Sequence, residues 1–437
     1  MSSSLSRRAL LAASAFSVAG VSAACGSNGD GGASAPLTGG DVAGTITLWG
    51  GANLVTASEI VTAGFVQEHP EVSMEYQKYP FAEYPTKMRL QLSSRADTPD
   101  LMIIHDYFVG SFIEAGWLED LSSEVAEGDY VAGSIGAVSR DGKVYGIPGQ
   151  SNPAGFWYRQ DVFDQLGIPA PTTLEEYTAA ADVLHGAGLS IDALDPNVAT
   201  TNFLYYLYQS GGSLFDDDGT LQLGDPAVEA LQALYDHHRA GYLFAAEPNS
   251  QDYWSAANSG KLVARLGLSA DAAYLTNSLD PAGAGGFGAW TYANPPALSS
   301  SAPASYLGDG SFFVINAASQ NKTAALSLAK YLTGDPAAAV AYDDIDQDGV
   351  VVRQTPSQLE SLRDLQQSAT EWEVFGGQKV NATKAELLLT HEVGHVYRDD
   401  RSTKAEDAIE LILPDVFSGK TTPAAAVQMM TENIGAL

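Results

Sequence analysis

The chain has 437 residues, 45% of them apolar, and a formal net charge of -31 from 53 acids against 22 bases. That length exceeds the roughly 250–300 residues at which a single core stops growing, so two domains are expected. No stripe of lysine or arginine is present, which argues against nucleic acid as a partner because phosphate contact requires clustered cations.

Residues 1–24 contain no acid, two arginines (Arg7 and Arg8), and then the apolar run "ALLAASAFSVAGVSAA". The run is short, rich in small residues and preceded by a basic segment, so it reads as an export signal, not a membrane span. "SRRALL" is similar to a twin-arginine signal. Cys25, the sole cysteine, has no partner for an internal disulfide. Its place directly after "VSAA" resembles a bacterial lipobox, with Ser22 standing where Leu or Val is usual. The resemblance implies a lipidated Cys25 as the first mature residue and an anchor to the outer face of the cell membrane. Residues 25–43 then form a Gly/Ser/Ala tether.

"GTITLWGG" alternates Ile46 and Leu48 with threonines and predicts a strand ending at Trp49. "TASEIVTAGFVQEHP" predicts a helix with a capping box at Thr56 and Glu59, an apolar face through Val61 and Phe65, and a stop at Pro70. "EVSMEYQ" alternates again, a helix follows over Tyr84 to Leu92, and "DLMIIHDY" reads as a buried strand. This succession implies a parallel sheet whose strand ends, Trp49-Gly50-Gly51 and His105-Asp106-Tyr107, carry ligand groups. Trp117 in "EAGWLEDL" is assigned to the apolar face of a helix and the core. The middle of the chain reads as mostly helical, with a turn at "FDDDGTLQLGDP". "SYLGDGSFFVIN" returns to strand, "KTAALSLAKYL" is a helix, and the remainder is helical with loops. There is no internal repeat and no second apolar span.

Several short motifs promise chemistry. His391-Glu392-Val393-Gly394-His395 matches the zinc-protease pattern H-E-x-x-H, which on a helix sets two histidines on one face with Glu392 as general base. Arg398 and Arg401 stand where the metzincin extension needs Gly and His, and Glu406, Glu410 and Glu432 lack any supporting motif as a third ligand. "DIDQDGVVVRQT" imitates a calcium loop from Asp344 but offers Thr355 where the bidentate glutamate belongs, so an exposed loop is the better account. "SGKTT" resembles a phosphate loop, yet Pro414 occupies the first glycine position. No metal, cofactor or G-x-S-x-G elbow is therefore expected, and the chain is read as a non-enzyme. Trp49, Trp254, Trp290 and Trp372 sit beside turn residues, where aromatic faces serve the apolar C–H faces of sugar rings.

These segments together resemble the extracellular solute-binding proteins of ABC-type sugar importers, the maltose-binding-protein-like family. "ITLWGG", "GFVQEHPEVSMEYQ" and "ADTPDLMIIHDYFVGSFIEAGWLEDL" match its opening units. "GKVYGIPGQSNPAGFWYRQDVFDQLGIPAPTTLEEY" is the most specific match, and "QSGGSLFDDDG", "NSGKLVARLG" and "GDGSFFVINAASQNKTAALSLAKYLTGDP" follow in the family's order. The resemblance implies an α/β two-lobe periplasmic-binding-protein-like fold with crossing hinge strands. Lobe 1 would hold residues 44–150 and 303–345, and lobe 2 residues 151–302 and 346–437. It implies ligand-binding roles for Trp49, Asp106, Gln150, Tyr158 and Asp309. "GKLVARLGLSADAAY" lacks the tryptophan relatives often carry there, so Trp254 or Trp290 is expected to supply the second lobe's platform, and Trp372 is a further candidate ligand contact. Tyr397 and Arg398 are expected at the cleft edge.

The implied role is binding a carbohydrate, an oligosaccharide above all, as a monomer, for delivery to ABC permease subunits driven by a separate ATPase. A zinc peptidase built on His391 to His395, and a binding protein for a polyol or sugar phosphate, are the alternatives.

Overall fold

A computed structural model describes residues 36–436 except 81–82, 95–97, 131–133, 217–218, 300–301, 304, 346–349, 352–362, 366, 368, 392 and 399–400. The signal segment, Cys25 and most of the imitation calcium loop lie outside the described residues. Five elements open the described chain in the predicted order. They are strand Gly44–Gly51, helix Ala52–Glu68, strand Val72–Tyr79, helix Tyr84–Ser94 and strand Leu101–His105. Gly44–Gly51 pairs in parallel with both other strands, and Ile46 and Leu48 are buried as their alternation requires.

Two local expectations are corrected. The first helix leaves the strand directly at Ala52, so Thr56 lies one turn inside it and its hydroxyl donates to Ala52 O at 2.6 Å instead of capping. Helix Asp106–Glu114 ends before Trp117, which follows a left-handed turn at Gly116 and is half-buried with its ring 5.5 Å from Phe112. It packs, but not as a helical residue.

Leu101–His105 pairs antiparallel with Ser305–Ile315, which in turn pairs antiparallel with Ile147–Arg159. The strands Ala264–Leu268 and Trp290–Ala293 extend the sheet from the far half of Ile147–Arg159. Val350–Val351 and Val393–His395 add short edges.

The two long central strands pass between separate hydrophobic cores. Ile147 and Phe313 belong to a core built from Ile46, Leu48, Phe65, Leu101, Leu328 and Tyr342. Phe156, Tyr158 and Tyr306, on the same two strands, belong to another core with Tyr177, Phe203, Leu231 and Met430. A strand buried along its whole length reads as Ile147–Arg159 does, with every residue inaccessible. The C-terminal helices Ser402–Glu410, Leu413–Phe417 and Pro423–Ile434 contribute Ile409, Leu413 and Met430 to that second core. "SGKTT" falls between the last two, where Thr422 caps a helix by accepting from Ala425 N at 3.3 Å.

Candidate functional site

Helix Thr200–Gln209 carries Thr201, Leu204, Tyr205 and Tyr208, spaced i, i+3, i+4, i+7 and therefore on one face. That face lines a cavity of about 80 Å³ with Leu268, Tyr306, Gly308, Arg398 and Glu406. Tyr208 meets Tyr306 edge-on at 5.3 Å, and burial raises the Tyr208 phenol above its ordinary range although Arg398 opposes this. The hydroxyl therefore remains a proton donor at neutral pH.

Arg398 organises the polar side. Its Nε lies 3.4 Å from Asp106 Oδ2, its Nη1 2.8 Å from Glu406 Oε1, and its Nη2 donates to Gly308 O at 3.5 Å. The side chains of Arg398 and Asp106 are 8% and 5% exposed, whereas that of Glu406 is 28% exposed. Asp106 is the first residue of helix Asp106–Glu114, where a carboxylate also suits the N-terminal end of the helix dipole. Arg140 ties the segment down from the other side: its Nη2 donates to Arg398 O at 3.1 Å and its guanidinium lies 5.5 Å from the Tyr397 ring. The guanidinium of Arg398 is thus held between Asp106, on a helix whose Val109 and Phe112 pack in a core with Trp49, and Glu406, on a helix of the second core. Through Gly308 O the guanidinium reaches strand Ser305–Ile315, one of the two long central strands.

The other candidates fall elsewhere. Trp49 is buried against Tyr79, ring centroids 6.0 Å apart, in a core with Met102 and Phe112. Gln150 is buried in the middle of a crossing strand, its backbone N–H facing Ser311 Oγ at 3.4 Å. Asp309 pairs with Asn152 on the other crossing strand. Tyr158 stacks on Phe156 and donates to Gln160 Oε1 at 2.8 Å. Trp290 is 1% exposed and its indole donates to Gly285 O at 2.8 Å. Trp254 and Trp372 are half-buried against the same core as Trp290, in edge contact with Tyr253 and Phe375. The structure therefore gathers three of the candidate tryptophans, with Trp157, around one core and ties Asp106, through Arg398, to the small cavity. The tyrosines of helix Thr200–Gln209 were missed; the sequence signal available for them was the stripe "TNFLYYLY" itself.

The peptidase geometry is not built. Helix Val380–Thr390 ends before His391, whose Nδ1 lies 2.7 Å from Thr390 Oγ1, and Val393–His395 is a strand paired in parallel with Ser305–Leu307. The two histidines do not share a helix face, because the helix stops at Thr390, before the first of them, and the second ends a strand. Glu392 lies outside the described residues. Among those described, no group of three or more His, Cys, Asp or Glu side chains is placed to hold a metal.

A larger groove of about 590 Å³ lies between helices Leu174–Gly186 and Asp225–Ala240. Its lining is mostly apolar, and the imidazole of His237 in it is engaged by Thr178 and Tyr206 at 2.8 Å each. The smaller cavity, with convergent charges at the crossing strands, is the better candidate.

Residues 51–339 match the family described as bacterial extracellular solute-binding protein. The chain belongs to this family. Solute-binding proteins of this family are non-enzymatic transport components. A lactose-binding protein of Rhizobium radiobacter is 27% identical over 206 residues, 43% of this chain and 47% of that one. An uncharacterised ABC transporter extracellular-binding protein of Pyrococcus horikoshii is 31% identical over 133 residues, 30% of this chain and 31% of that one. The matched stretches thus span less than half the length of these relatives. The sugar-binding protein MalE of Xanthomonas citri superposes with a TM-score of 0.73 at 18% identity, covering 90% of this chain and 97% of that one. The solute-binding protein accordingly has their two-lobe α/β fold. No helix among its described residues is long and apolar enough to cross a membrane.

Proposed function

We propose that this solute-binding protein binds a carbohydrate, most readily an oligosaccharide, between two lobes and delivers it to the permease of an ABC importer. One observation carries the reading: two long strands pass from one hydrophobic core to the other, and a cavity of tyrosines and paired charges lies where they cross. Aromatic rings beside carboxylates and a guanidinium are the chemistry a sugar requires, apolar faces for its C–H surface and acceptors for its hydroxyls. The sugars named for the relatives support the same class.

The proposed lobes are residues 44–150 with 303–345, and 151–302 with 346–437. Core membership supports the division, except that Tyr306 and Leu307 pack with residues of the second lobe. At about 80 Å³ the cavity is below the roughly 300 Å³ at which small-molecule pockets begin, so ligand entry requires the lobes to separate about the crossing strands. Trp254 and Trp372, the half-buried tryptophans, remain the candidate platforms further out. The protein is further proposed to act as a monomer held to the outer membrane face through Cys25.

A thermal-shift panel of neutral mono- and oligosaccharides tests the reading, with EDTA as a control. At a hundredfold excess over Kd a cognate sugar adds about 2.7 kcal/mol, which for a chain of this size raises the melting temperature by about 3 °C. A panel in which no sugar shifts melting while EDTA lowers it would overturn the proposal in favour of a metal-dependent protein.

A further inference from the structure

We infer that Asp106, Arg398 and Glu406 make the cavity selective for ligands that donate hydrogen bonds, and that they exclude anionic sugars such as uronates and sugar phosphates. This rests on the carbohydrate reading and narrows it.

A cavity that bound phosphate or carboxylate would need a guanidinium with its two-pronged donor edge turned to the ligand. Here that edge is spent. Nη1 of Arg398 is on Glu406, Nε faces Asp106, and Nη2 reaches Gly308 O. Arg140, the other cation at this place, directs its donors to the carbonyls of Ser139 and Arg398 and lays its face on Tyr397, and it is not part of the cavity wall. The wall and its immediate support therefore set two carboxylates against one committed guanidinium. An ionised carboxylate has acceptor sites for several donors, so a Glu406 that receives Arg398 on one oxygen still offers positions to a ligand hydroxyl or ammonium. An incoming anion meets like charge at short range in a site with little water to screen it. Tyr205 and Tyr208 line the same cavity, and an aromatic face, the negative end of the ring quadrupole, also disfavours an anion.

The test uses the best neutral disaccharide from the panel in three forms: unmodified, with one primary alcohol oxidised to a carboxylate, and with that alcohol replaced by an ammonium group. Calorimetric titration of the wild-type protein is expected to give the carboxylate form at least tenfold weaker than the neutral one, and the ammonium form no weaker than the neutral. Glu406→Gln is expected to narrow the neutral-to-carboxylate ratio severalfold, and Asp106→Asn likewise. Each ratio is measured within one protein, so any loss of folded fraction cancels. A wild-type protein that binds the carboxylate form within twofold of the neutral form overturns the inference and leaves carbohydrate binding standing, as does a ratio unmoved in both variants. Failure of every sugar, of either charge, overturns the carbohydrate reading itself.

Discussion

His237 is 3% exposed, with Thr178 Oγ1 on Nε2 and Tyr206 Oη on Nδ1, both at 2.8 Å. Burial pushes the imidazole down to about 4 from its ordinary 6.5. Because the folded state holds the neutral ring, the stability this contributes is present above about pH 6.5 and is lost as the pH falls toward 4. Asp192 acts in the opposite sense. Burial raises its carboxyl to about 7 despite the N–H groups of Leu266 and Ala193, so its contribution is present at acid pH and lost as the pH rises through neutrality. Comparing wild type with His237→Gln cancels the Asp192 effect, which both share. Urea titrations at pH 6.5 and pH 4 should show the wild type losing up to about 3 kcal/mol more than the variant across that window. Equal losses would mean that the imidazole is not held neutral. None of this was legible beforehand, since the histidine pair in "LYDHHRAG" gives no sign of which of the two is buried or by which neighbour.

At the scale of elements, strand Ile147–Arg159 is shaped by what its glycines let approach. A Cβ at Gly155 would lie 1.9 Å from the ring of Tyr292 on the neighbouring strand, whose hydroxyl donates to Ala154 O at 3.2 Å. The ring has no room to retreat, because it is wedged against Trp157 with centroids 4.7 Å apart. Gly155→Ala should therefore cost about 1–3 kcal/mol by overpacking. Gly186→Ala, in the last turn of its helix with open space around it, should be neutral or stabilise by roughly 0.5–1 kcal/mol. Denaturation midpoints with unchanged slopes decide both. The opening elements were legible because each announces itself by period, two for Ile46 and Leu48, near 3.6 for Val61 and Phe65. The stretch around His395 was not. "ELLLTHEVGHV" continues an apolar pattern that suits a helix, yet the chain becomes a strand at Val393 because the backbone of Ser305–Leu307 is there to pair with it. A partner so far along the chain leaves no local trace.

At the scale of the molecule, the crossing strands join two cores, and beside them Arg398 pairs with Asp106 on one side and Glu406 on the other. Movement of the lobes must therefore exchange these contacts, which is how a ligand's differential affinity can bias such an equilibrium. The proposed retention at the membrane is a separate property, assigned to a different part of the chain. Cys25→Ser in the full-length protein, expressed in a bacterial host, should move it from the membrane fraction to the soluble extracytoplasmic fraction while leaving sugar-induced melting shifts unchanged. A variant that stays with the membrane would show that some other feature anchors it.

The order of the opening strands and helices and the family follow from the amino-acid sequence alone, because periodicity and ordered motifs are properties of neighbouring residues. Which aromatic residues face the cavity was decided only by tertiary structure. Trp49 and Trp290 sit beside glycines as ligand-facing rings often do, but their burial is set by Tyr79 and by the carbonyl of Gly285. Arg398 had only its place in the chain to point to the cleft. Its role arises where a C-terminal segment, a helix start and a hinge strand converge, and that convergence exists only once both cores have formed.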